Sequence, residues 1–151
     1  AGDYSNTDRM LSIAINQSNR KIFVFGGQGS GGIKESNFTV TYGTWYHVAI
    51  VYTNNQDVEF YVNGNAEGSI QFSDTSSIAA GSPTRIGVYS GTLGNYFKGQ
   101  IDEVAIFDTA LTSGQIFNDL YQPTSTATNK TADIANNPNL PTPVAWYRMG
   151  D

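Results

Sequence analysis

One run, residues 44–64 (TWYHVAIVYTNNQDVEFYVNG), leaves the chain little choice of fold. Trp45, His47, Ala49 and Val51 alternate with Tyr46, Val48, Ile50 and Tyr52, a period of two that belongs to a strand. Aromatic and β-branched residues fill both series, which suits a strand covered on both faces or placed mid-sheet. Asn54, Asn55, Gln56 and Asp57 follow with turn chemistry, since Asn and Asp tolerate left-handed backbone and bond their own main chain. A second strand is predicted over 58–62. Asn63-Gly64 then closes a two-residue hairpin, because both positions accept positive φ. The chain reads as all-β.

Composition agrees and removes whole classes of function. Sixteen glycines and 14% charged residues suit a β-sandwich with many turns, and the 13% aromatic content predicts a core built largely from Tyr, Phe and Trp. A length of 151 residues suits one domain with a core of useful size. The net charge of −5 opposes nucleic acid and anionic membranes as partners. With no cysteine there is neither a disulfide framework nor a Cys-based metal site or nucleophile. No stretch approaches the roughly 20 apolar residues that span a bilayer, so membrane insertion is not expected, and no signal peptide is visible.

The remaining strands are read in order. A strand over 10–15 places Leu11, Ile13 and Ile15 on one face; 16–19 turns the chain and 21–25 returns it. Residues 26–32 (GGQGSGG) form a hairpin connection, since a phosphate-cradling loop needs a Lys-Ser/Thr pair with a helix behind it. Further strands are predicted over 38–42, with Phe38, Val40 and Tyr42 on one face, over 66–72 as the partner arm of the Asn63-Gly64 turn, over 85–90, and over 96–107. Thr112 and Gln115 have capping-box spacing, and Ile116 with Leu120 is an apolar i,i+4 pair, predicting one short helix over 113–120. Residues 122–143 are rich in Thr, Asn, Ala and Pro and read as an extended linker. Strand character resumes at 144–149, VAWYRM.

Three segments, TWYHVA (44–49), FYVNG (60–64) and FKGQIDEVAIFDTAL (97–111), with the helix ending in Leu120-Tyr121 behind them, resemble the laminin G-like jelly roll of the concanavalin A-like lectin/glucanase superfamily. The resemblance covers roughly 11–121 and implies an antiparallel β-sandwich of jelly-roll type. Such a domain opens with a strand like VAWYRMGD (144–151), which here stands at the other end of the sequence. The organisation expected is therefore a laminin G-like sandwich over 1–121 lacking its opening strands, a linker over 122–143, and the opening strand of a following repeat, or a permuted or donated strand, over 144–151. The arrangement is similar to tandem repeats in structural and adsorption proteins of marine tailed phages. In the family the opening strand lies beside the IDEVAIF-type strand. Val144, Trp146 and Tyr147 are thus an assembly strand that either folds back on its own chain or passes to a neighbouring subunit.

The superfamily includes glucanases, whose signature sets acids at alternate positions of one strand. In Gln100-Ile101-Asp102-Glu103-Val104 only Asp102 fits that spacing, and Glu103 points to the opposite face, so the carboxyl pair a retaining glycosidase needs is missing. Asp102 is expected to accept turn hydrogen bonds instead. His47, the only histidine, is expected to be a packed residue, and no transition-metal site is expected. No cofactor is required. Calcium is the cation left open, since it needs only oxygen ligands, and Asp3, Asn6 and Asp8 are spaced as donors. Asn54, Asn55 and Asp57 form a second oxygen cluster that turn formation explains. Tyr89, Ser90, Thr92, Asn95 and Tyr96 offer the aromatic faces and hydrogen-bonding groups that sugar recognition uses, though a hairpin with half-buried tyrosines accounts for them too.

The function expected is a non-catalytic recognition or adhesion module that binds an extracellular glycan and belongs to a multi-repeat extracellular or virion surface protein. The alternatives are an architectural module that assembles with neighbouring repeats or subunits by strand exchange, and an accessory carbohydrate-binding module of a secreted glycoside hydrolase.

Overall fold

The computed structural model of the chain describes residues 12–25, 33–53, 57–71, 84–88, 96–122 and 133–149. The chain divides into two compact units, Ala1–Val40 with Phe72–Ile101 and Thr41–Gln71 with Asp102–Asp151. The described elements are antiparallel strands with one short helix, the all-β class expected.

In the first unit, β1 (Ser12–Ile15), β2 (Lys21–Phe25) and β3 (Ile33–Thr39) form a sheet of that order. β2 carries the apolar face: Ile22 and Val24 are 2% and 0% exposed, while its other residues are half-buried. Asn16 and Asn19 shape the β1–β2 turn by accepting from the backbone N–H of Ser18 and Lys21 through their side-chain oxygens. Their amide nitrogens donate to the two carboxylate oxygens of Glu35 on β3, at 2.7 and 2.9 Å, so one acid ties the turn to the third strand.

One expectation fails here. The strand placed at 38–42 lies earlier, at Ile33–Thr39, and Tyr42 is 67% exposed in a turn where Gly43 has φ +77°. Ile13 and Ile15 share a face of β1, opposite Val24 and Ile22, although Ile13 is 54% exposed.

In the second unit, β4 (Val48–Tyr52), β5 (Asp57–Val62) and β6 (Asn65–Gln71) make an antiparallel meander. The strand expected from residue 45 begins at Val48, and its two faces differ: Val51 is buried whereas Val48 is 40% exposed. Asn63 and Gly64 both take positive φ, +50° and +77°, as the hairpin reading requires. Val58, Phe60, Tyr61 and Val62 of β5 are all buried.

Val51 and Tyr61 pack with Ile116 of the helix, and Ala49 and Leu111 close the cluster. The helix opens with an α-type bond from Ile116 N to Thr112 O, then widens to π-type bonding over Gln115–Tyr121, where Gln122 N donates to Phe117 O. The predicted capping box is reciprocal: Gln115 N donates to Thr112 Oγ1 at 3.2 Å, and Thr112 N donates to Gln115 Oε1 at 2.9 Å.

The long strand expected over 96–107 is a further correction. Tyr96 makes a single antiparallel bridge with Val88, and the regular strand is only β7 (Val104–Ile106). Glu103, at φ +51°, interrupts the extended backbone just before it. In the predicted strand at 85–90, Val88 forms that bridge and Gly87 O accepts from Phe97 N at 2.8 Å, without a regular strand among the described residues.

Candidate functional site

A cluster of polar contacts in the second unit gathers around Asp102 and Glu103. β8 (Ala145–Tyr147) pairs antiparallel with β7 of its own chain, with Val104 opposite Tyr147, Ala105 opposite Trp146 and Ile106 opposite Ala145. Val144 N also donates to Ile106 O at 2.8 Å.

Side chains then fasten the pair. Trp146 Nε1 donates to Glu103 Oε2 at 2.6 Å, and Arg148 Nε donates to Glu103 Oε1 at 3.4 Å. The Arg148 guanidinium lies 5.2 Å from the centre of the Trp146 ring, within cation–π range. Asp102 Oδ1 accepts from Glu103 N at 2.9 Å and from Met149 N at 3.3 Å. Both carboxylates therefore hold backbone, an indole and a guanidinium in place.

Residues 133–143, which precede β8, are also anchored. Ile134 and Leu140 are buried, at 7% and 8% exposure. Asp119 Oδ1 on the helix accepts from Asn137 and Asn139, and Gln115 Nε2 donates to Asn139 O at 2.6 Å. The sequence reading found Asp102 but assigned no task to Glu103 or Arg148. Their complementarity joins positions 45 apart, and no local pattern reports such a pairing.

His47 lies where the hairpin turn meets the helix. Its backbone N donates to Asn63 Oδ1 at 3.0 Å and its O accepts from Asn63 N. The imidazole centre is 5.9 Å from that of Tyr121. Nδ1 is buried without a hydrogen-bond partner, and burial holds the imidazole pKa below its usual value. Tyr61 donates to Glu59 Oε2 at 2.8 Å; burial, that hydrogen bond and the adjacent negative charge push its phenol up to about 12.

Of the sugar-contact candidates, Tyr96 is described and is 63% exposed; Tyr89, Ser90, Thr92 and Asn95 lie outside the described residues. Asp3, Asn6 and Asp8, the calcium candidates, also lie outside them, as do Asn54 and Asn55, while Asp57 begins β5. Among the described residues no group of three His, Cys, Asp or Glu is placed to hold a metal ion. No described helix is long and apolar enough to cross a membrane.

Residues 2–117 match the sequence family described as the concanavalin A-like lectin/glucanases superfamily. The chain belongs to that superfamily. Among the described residues, its antiparallel strands and one short helix are those of the superfamily's jelly-roll β-sandwich class. Among solved structures, the chain is similar to an S-layer domain-containing protein from Clostridium thermocellum, at 23% identity and a TM-score of 0.47. That match covers 76% of this chain and 64% of the other, so the chain spans less than two thirds of it. No curated protein matches significantly. The superfamily match ends at residue 117, so β8 and the anchored segment before it lie beyond the matched region.

Proposed function

We propose that this chain is a non-catalytic recognition and adhesion module of an extracellular or virion surface protein, with a glycan as its ligand. The observation that carries the reading is the occupation of Asp102 and Glu103. These are the acids of the 100–104 run, where a glucanase of the superfamily would carry its carboxyl pair, and here they fasten β8. Retaining hydrolysis needs two carboxyl groups about 5 Å apart facing one scissile bond, whereas these two face Trp146, Arg148 and the Met149 backbone. Tyr96 supports the ligand assignment by leaving a ring open to solvent, with Tyr89, Ser90, Thr92 and Asn95 as its proposed co-contacts. Asp3, Asn6 and Asp8 are the proposed ligands if calcium takes part.

Glycan-array screening of the chain, with and without calcium, tests this. Binding that falls at least tenfold in Tyr96→Ala is the expected result. Hydrolysis of any β-glucan by the chain would sink it.

A further inference from the structure

We infer that the turn around Gly43 is a stacking platform for an uncharged sugar, with Tyr42 and Trp45 as its two rings. It gives the second compact unit a ligand contact of its own, in addition to Tyr96 in the first, and rests on the glycan reading above for its ligand class.

The turn stands clear of its surroundings. Gly43 takes φ +77°, a state that a side chain would strain, and a Cβ built there would meet nothing within 4 Å. Tyr42 and Trp45 flank it at 67% and 61% exposure, and Tyr42 is the most exposed large hydrophobic side chain among the described residues. A single exposed aromatic is ordinary on a protein surface. Two within one turn leave a ring area against water that folding has not covered.

The backbone beneath these rings is held on both sides. Thr41 N donates to Tyr46 Oη at 3.1 Å, which closes the turn across its base. His47 N donates to Asn63 Oδ1 at 3.0 Å and His47 O accepts from Asn63 N at 2.8 Å, which ties the chain just after Trp45 to the β5–β6 turn. Tyr42 and Trp45 supply no side-chain atom to these bonds. Tyr and Trp have few rotatable bonds, and a backbone fixed before binding loses little entropy on contact.

The chemistry of the turn selects the ligand. Residues 36–56 contain no Asp, Glu, Lys or Arg, in a chain that is 14% charged. The stretch therefore supplies no charged partner for a phosphate, a sulfated glycan or an ammonium group. It supplies two π-faces, each with one polar tip, the Tyr42 hydroxyl and the Trp45 indole N–H. A pyranose ring matches that set, since its apolar C–H face lies flat on an aromatic ring while its hydroxyls meet the polar tips at the rim. An apolar protein surface would use the rings and leave both tips without partners.

The full-length chain labelled with fluorotryptophan tests the assignment, because its two tryptophans give one fluorine NMR resonance each and Trp45→Phe identifies them. The probes are dextran, laminarin, galactomannan, xyloglucan and mannan, with heparin as the charged control. The expected result is a Trp45 resonance that moves with a neutral probe and not with heparin, while that of Trp146 stays in place. Affinity electrophoresis in the same neutral probe should show binding weakened about fivefold or more in Tyr42→Ala and in Trp45→Ala, and largely kept in Trp45→Phe. Both side chains are exposed, so the fold is expected to survive these changes.

No resonance shift and no binding with any neutral probe would overturn the platform and the glycan reading together. Binding lost in Tyr96→Ala but unchanged in Tyr42→Ala and Trp45→Ala would overturn the platform and leave the glycan reading standing. Binding to heparin alone would overturn the uncharged ligand. A Trp45 resonance that moves with protein concentration and with no probe would mark the turn as a contact between copies, and that too would overturn the platform.

Discussion

Gly64 lies so close to Phe117 that a Cβ built on it would meet Phe117 Cδ2 at 2.7 Å and Phe117 Cα at 3.2 Å, with Tyr121 Cδ1 at 2.9 Å. The helix is thus seated directly on the hairpin turn, and a side chain at 64 would have to lift it. Turn and helix also meet through His47, which is bonded to Asn63 on one side and rests near Tyr121 on the other.

Gly64→Ala is accordingly expected to destabilise the chain by about 2–4 kcal/mol. The positive φ contributes roughly 1 kcal/mol and overpacking against the helix the remainder. Urea unfolding checks this, and a loss below about 0.5 kcal/mol would show that the helix is not seated where described.

The helix start gives a separate expectation. Thr112→Ala removes one half of the reciprocal capping box and should cost about 1 kcal/mol. Gln115→Ala removes the other half together with the bond to Asn139 O, so it should cost more. The two losses should not add in the double variant, because each single change already breaks the box.

His47 predicts a pH dependence on the acid side. Burial lowers its folded pKa below the 6.5 expected of the unfolded chain, so the unfolded state takes up the proton first. The stabilisation is present above pH 6.5 and is lost as pH falls through the folded value. Urea midpoints measured across that window should decline in the wild type, and the decline should be shallower in His47→Gln. Parallel curves for the two proteins would remove His47 from the account.

Tyr61 acts on the alkaline side with the opposite sign. Its folded pKa is raised from 10.0 to about 12, so the neutral phenol is favoured in the folded chain. Stability from this group is intact below pH 10 and should erode as pH rises toward 12. Tyr61→Phe leaves nothing to ionise at that position and should flatten this part of the profile. Difference absorbance near 295 nm should show one tyrosine titrating late.

The legible parts of the chain were those where a local pattern and a turn signal coincide. The run Lys21–Phe25 has clean alternation, and its strand bounds are as expected. Asn63-Gly64 fixed its hairpin because few residue pairs suit two consecutive positive φ values. Ile33–Thr39 was missed since IKESNFT has no apolar stripe; its place in the sheet depends on pairing with β2 and on Glu35 accepting from two distant asparagines. The 96–107 run looked like one strand because alternation cannot report a left-handed residue such as Glu103. Widening of the helix to π-type bonding had no sequence signal either. At the candidate site, the acids were visible, but their partners lie 43 to 47 positions away, and proximity of that kind is a property of the folded chain.

The reciprocal placement of β7 and β8 has a consequence for the order in which the chain is assembled. The β4–β5–β6 meander closes through connections of a few residues, so its pairing can form early and locally. Joining Val104 to Tyr147 requires a loop of some forty residues to be closed for only three residue pairs, so its contacts repay the chain entropy late. The β7–β8 edge should be the last seam sewn during folding and the first to open in the native state, with the backbone amides of 144–147 exchanging with solvent long before those of β5.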